Sequence, residues 1–192
     1  MARRLRIQAS DATYHVITNA TFGRKLFAEN DDRRWFEYRL DDVVRRFEWS
    51  CKSYCLLGTH YHLLVTTPEP NLALGMKRLN GMHAQAFNDR HQQFGRLLRD
   101  RYQTELIETE GHFLAVLRYI AWNPVRAGLC EHPAGWRWSS YPASIGLASP
   151  APFLDLEGLL QLFGADPAVA RWRLRALVEG ELAPSVLDAA GV

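Results

Sequence analysis

At 192 residues, with 47% apolar and 23% charged side chains, the chain is long enough for one well-buried core and short for two, and its composition excludes a disordered, collagen-like or repeat architecture. The net charge of +2 hides an asymmetry: residues 1–141 hold 20 of the 23 basic and 15 of the 21 acidic side chains, a balance of +5, which leaves −3 for residues 142–192. No apolar run approaches the roughly 20 residues that a membrane helix needs, no apolar stretch follows the basic start MARRLRIQ to make a secretory leader, and Cys51, Cys55 and Cys130 are too sparse for a disulfide framework; a cytoplasmic protein without a membrane is expected. All but three of the basic residues are arginine, the side chain that grips phosphate with two parallel hydrogen bonds and stacks on flat rings.

Along the chain, alternation in TYHVITNA predicts a strand over Thr13–Ala20. Phe36, Leu40, Val43, Val44 and Phe47 recur at spacings of three and four and predict an amphipathic helix over Arg33–Trp49. A strand over Ser50–Leu57 and a second over His60–Thr67, joined at Gly58 and Thr59, read as a hairpin. Pro68 and Pro70 stop it, Asn71 is a plausible helix cap, and Leu72, Met76, Leu79, His83 and Phe87 mark the stripe of a second helix. After an arginine-dense linker comes a short strand near Thr104–Glu108. Thr109 and Glu110 open a third helix, with loop expected from Pro124 to Pro152 and short helices over Leu154–Ala190. The order β-α-β-β-α-β-α is that of a ferredoxin-like (RRM-like) α+β fold, an antiparallel sheet with helices on one face and a helical C-terminal extension. Such a sheet leaves its other face available for work. The chain divides into residues 1–141 and an appendage, 142–192.

His60 and His62 stand two apart on a strand, so both imidazoles share one face while Tyr61, Leu63 and Val65 point to the other. Two neutral imidazoles side by side make half a site for a divalent cation. Taken alone, such a pair is more often two ordinary polar residues. On the third helix Tyr119 and Asn123 are four apart and share a face. Asn offers a hard carbonyl oxygen suited to Mg²⁺ or Mn²⁺, and Tyr a phenol able to attack a phosphodiester that a cation polarises. A half-buried helix aromatic is the plainer reading of Tyr119.

Together these segments resemble a known family. GTHYHLLV is similar to the His-hydrophobic-His motif of the single-tyrosine HUH transposases. RYIAWNPVRAGLCEHPAGWRWSSY, residues Arg118 to Tyr141, resembles their signature block: a tyrosine-bearing helix ending in Asn-Pro-Val, then Arg-Ala-Gly, then Trp-x-x-Ser-Ser-Tyr. The likeness runs from about Tyr14 to Tyr141. The Asn at the third ligand position and the C-terminal extension make the REP-associated tyrosine transposase branch the nearer one. Gly58 and Thr59 replace the usual Pro-Asn before the first His, and Thr59 is a candidate to orient an imidazole.

The resemblance implies that His60, His62 and Asn123 hold Mg²⁺ or Mn²⁺ and that Tyr119 is the nucleophile. It further implies cleavage of single-stranded DNA at hairpins through a 5′-phosphotyrosine link, by a monomer or by a homodimer in which Tyr119 meets its own or a partner's histidines. Arg96, Arg99, Arg101, Arg118 and Arg126 lie near the ends of the elements around Tyr119, where they would contact DNA phosphates; Trp122 and Trp138 would stack unpaired bases. For the arginines a solvated or internally paired side chain competes, and for the tryptophans core packing does. Two rival functions share these residues: a non-catalytic nucleic-acid-binding module, and a metal-dependent phosphodiesterase that uses water.

Overall fold

A computed structural model describes residues 9–180; the basic start and the end of the C-terminal appendage, residues 181–192, lie outside the described residues. The alternating segment forms β1 (Ala12–Asn19), followed by α1 (Asn30–Phe47), β2 (Ser50–Leu56), β3 (His60–Thr67), α2 (Leu72–Arg90), β4 (Gln103–Ile107) and α3 (Glu110–Arg126). The strands lie in the order β2-β3-β1-β4, every neighbour antiparallel, the ferredoxin-like arrangement. One sheet face carries Tyr14, Val16, Tyr61, Leu63 and Val65, which bury against Phe36 and Leu40 of α1 and Met76 and Leu79 of α2. Each such side chain taken from water contributes about 1.5–3 kcal/mol.

The opposite face is not left bare, as the sequence alone would suggest. Cys55, Leu57 and Leu64 pack there against Val116, Leu117 and Ile120 of α3, in a second core completed by Leu159 and Leu160 of α5 (Leu156–Gln161) and Ala170, Leu174 and Leu177 of α6 (Pro167–Glu179). The reason is periodicity: Val116, Leu117 and Ile120 form an apolar stripe on α3 that must bury somewhere. The short helix α4 (Tyr141–Ser144) lies in the stretch expected to be loop. Pro124 does not stop α3 either; it is accommodated inside the last turn, and the helix runs on to Arg126. Thr109 caps α3 as expected, its Oγ1 accepting from His112 N at 3.1 Å. Asn71 precedes α2 without capping it. Its Oδ1 accepts from Trp49 Nε1 at 2.7 Å and its amide nitrogen donates to the Phe47 carbonyl.

His83, on the buried stripe of α2, is ringed by Phe27, Phe36 and Phe87 and donates from Nε2 to the Leu26 carbonyl at 2.9 Å. Burial lowers its pKa from 6.5 to about 4. Between those values the unfolded chain binds a proton that the folded chain refuses. The associated stability is therefore complete above pH 6.5 and is lost as the pH falls toward 4, by on the order of 3 kcal/mol. His83→Gln keeps a donor for the Leu26 carbonyl and removes the titration, so urea unfolding measured from pH 4.5 to 7 should show a slope with pH smaller by about one proton. An unchanged slope would assign the acid sensitivity elsewhere.

Candidate active site

The antiparallel register of β1 and β3 sets Ile17 opposite His62 and Asn19 opposite His60. On the α3 face this brings together His60, His62 and a third imidazole, His15, whose ring stacks 5.2 Å from that of His62. His60 and His62 sit edge to face at 5.1 Å. Sequence reasoning did not single out His15, because a lone His in a strand carries no spacing signal and its neighbour in space is 47 residues away. A reading of β1 by alternation would have placed it on the face opposite Tyr14 and Val16, the face of the other two histidines.

The hydrogen bonds divide the ring nitrogens into two sets. His60 Nδ1 lies 3.1 Å from Thr59 Oγ1, the orienting contact expected of Thr59, and His62 Nδ1 lies 3.0 Å from His15 Nε2. His62 Nε2 is fully buried and has no hydrogen-bond partner, a costly state for a polar atom unless another group uses it. Burial holds the imidazoles in the neutral form that can ligate. The pKa of His62 falls from 6.5 to about 3 and that of His15 to about 4, and that of His60 is also lowered, all through desolvation. An orphaned Nε2, with each Nδ1 engaged by a neighbour, is a donor set that could hold a cation with its imidazoles already oriented. Among the described residues no group of three or more His, Cys, Asp or Glu side chains is placed to hold a metal ion.

α3 lays Tyr119 against this group, its ring 5.5 Å from His62 and 5.9 Å from His15, edge to face with both. The chain's seven tyrosines all lie within the described residues. Only Tyr119 and Tyr38 are exposed, and Tyr38 stands on α1, the layer across the sheet. Tyr102 and Tyr141 are buried, the latter donating to Glu179 at 2.9 Å. Asn123 is buried one turn beyond Tyr119, and its Nδ2 donates to the Tyr119 carbonyl at 2.9 Å.

The other predicted contacts divide. The Arg126 guanidinium lies 5.0 Å above the Tyr119 ring, so it acts on the phenol itself as well as on any phosphate there. Arg96, Arg99 and Arg101 lie on the segment entering β4. Arg99 N donates to the Asn19 carbonyl, beside the His60 end of the sheet, its guanidinium lies over exposed Phe22, and Arg96 and Arg101 line a groove against α2 with Lys77. Arg118 and Trp122 carry a structural contact, since Arg118 Nε and Trp122 Nε1 both donate to the Val178 carbonyl and tie α6 to α3. Trp138 is structural likewise. It is 5% exposed, with the guanidiniums of Arg33 and Arg137 over its ring, and has no face to offer a base.

The segment around Trp138 has another task. Leu56 N donates to the Trp138 carbonyl, Ser140 N to the Tyr54 carbonyl, and Ser140 Oγ accepts from Tyr54 N at 3.1 Å. Trp-x-x-Ser-Ser-Tyr thus covers the open edge of β2, which would otherwise present unpaired backbone groups.

Comparison with known proteins agrees with this geometry. The profile of the family described as IS200-like transposase matches residues 8–123. No curated protein matches the chain. Among solved structures, the fold is similar to a REP-associated tyrosine transposase bound to a REP hairpin, with a TM-score of 0.67 at 17% identity over 81% of this chain and 93% of that one. A crystal structure from Deinococcus radiodurans, provisionally described as a transposase, aligns at 17% identity over 62% of this chain and 95% of that one with a TM-score of 0.44.

Proposed function

Because the chain belongs to the IS200-like transposase family, we propose that it cleaves and rejoins single-stranded DNA beside hairpins, in the manner of the REP-associated branch, with Tyr119 as nucleophile. The observation that carries this reading is the placement of the one exposed tyrosine on its side of the sheet 5.5 Å from a buried imidazole with an unused nitrogen. The solved relative's hairpin supports the choice of DNA.

In the proposed reaction the Tyr119 oxygen attacks phosphorus and its proton passes to solvent. The bond to the 3′ oxygen breaks, and that oxygen takes up a proton as it leaves. The result is a 5′-phosphotyrosine link and a free 3′-hydroxyl, and the reverse attack by a 3′-hydroxyl restores a phosphodiester and frees Tyr119. Bond energy is conserved in the link, so no nucleotide cofactor enters. His60 Nε2, His62 Nε2 and Asn123 Oδ1 would hold Mn²⁺ or Mg²⁺; when bound, the ion supplies Lewis-acid stabilisation of charge on the phosphate oxygens. Arg126 stabilises negative charge developing on the phenol through its position over the ring. Arg96, Arg99 and Arg101 would grip phosphates along the strand that enters past β1.

The test is direct. The full chain incubated with hairpin-bearing single strands and Mn²⁺ should yield a slow-migrating band on a denaturing gel, carrying label only when the label lies 3′ of the cut. Cleavage with no such band would favour water as the nucleophile and overturn the assignment of Tyr119.

A further inference from the structure

We infer that His15 is a positioning residue for the cation site: its Nε2 accepts the Nδ1 proton of His62 and so holds His62 in the tautomer that presents a bare Nε2. The inference rests on the reading of His60 and His62 as cation ligands.

A neutral imidazole carries one proton, and a ring that ligates through Nε2 must carry it on Nδ1, where it needs an acceptor. For His60 that acceptor is Thr59 Oγ1, on a turn. His62 is 1% exposed, so water cannot serve, and the one group at its Nδ1 is His15 Nε2 at 3.0 Å. The bond has two possible directions, and one of them leaves the proposed ligand atom bare. Glu105 stands directly opposite His15 in the β1–β4 register, and its charge acts on the His15 ring. With His62 protonated on Nδ1, the His15 proton stands on Nδ1 and its Nε2 is bare to accept. The opposite direction would place the His62 proton on Nε2 and block the atom that the proposed site needs as a ligand. His15 and His62 thus form a pair that leads from β1 to the proposed ligand atom on β3. An imidazole ligand backed in this way is fixed in ring orientation and raised in basicity.

The role is tested in the full-length protein with His15→Leu and His15→Gln. A Gln side chain places an acceptor oxygen where Nε2 stands; Leu places none. Long-range ¹H–¹⁵N spectra of the metal-free imidazoles should show His62 protonated on Nδ1 in the wild type and in H15Q, and a shift toward the Nε2–H form in H15L. Mn²⁺ binding by calorimetry should weaken about 10- to 100-fold in H15L and stay within about threefold of wild type in H15Q. Should H15L fail to fold, His15→Phe, closer in shape and equally without an acceptor, carries the same expectation. The role is overturned by a wild-type His62 protonated on Nε2, by an H15L or H15F protein that binds Mn²⁺ as the wild type does, or by an H15Q protein that loses as much as H15L, which would make His15 a ligand itself. Wild-type protein that binds no Mn²⁺ overturns the ligand assignment beneath it as well; an unaltered affinity in a His62→Ala control overturns that assignment by a different reading.

Discussion

Tyr119→Phe should abolish the covalent protein–DNA band while leaving hairpin binding within a few-fold of wild type. The change removes one oxygen and keeps the ring, so the edge contacts with His62 and His15 and the Arg126 guanidinium above the ring all survive. Binding energy from arginines on the β4 approach is untouched. What is lost is the only oxygen from α3 that lies near the imidazoles and is open to a large substrate, and removal of a nucleophile costs at least about 10³-fold in rate. Tyr38→Phe is the matched control, the other exposed tyrosine on the far layer, and should be silent. A Y119F protein that still forms the band would sink the assignment. Tyr102 and Tyr141 would be poor replacements, because both are buried and Tyr141 is bonded to Glu179.

What the sequence disclosed and what it withheld separate along a physical line. Strand alternation in HYHLLV placed His60 and His62 on one face, and helical spacing placed Tyr119 and Asn123 on another, because both rules depend only on neighbours a few residues away. His15 escaped because its importance comes from the β1–β3 register, a pairing across 47 residues. The tryptophans misled for the same reason. Trp138 and Trp122 look like stacking platforms in a nuclease-like chain, yet one is spent covering the β2 edge beside Arg33 and the other on the Val178 carbonyl. Pro124 read as a helix stop, since proline removes a donor; α3 nonetheless continues past it to Arg126, with the ring buried. The family resemblance in Arg118–Tyr141 thus has two physical halves, one at Tyr119 and Asn123 that carries the proposed chemistry and a structural one at Trp138–Tyr141.

The histidines offer the second large effect and a way to separate chemistry from folding. His60→Ala and His62→Ala should each remove a proposed cation ligand, and the several kcal/mol that a cation contributes at a phosphate correspond to roughly 10²–10⁴ in cleavage rate. Their effects on stability should differ. His60 is half-buried and bonded only to Thr59 at the turn, so its removal leaves no buried group stranded. His62 is buried and bonded to His15, so its removal leaves His15 Nε2 without a partner in the interior, a cost of about 1–3 kcal/mol, offset in part because the orphaned Nε2 of His62 is removed too. Urea unfolding at pH 7 should therefore place H60A close to wild type and H62A at or below it, while the adduct assay with Mn²⁺ shows both to be inactive. Cleavage by H60A at the wild-type rate would remove His60 from the ligand set. Because H60A folds as the wild type does, its inactivity would be chemical in origin, and the cation site would then rest on the variant least able to mislead.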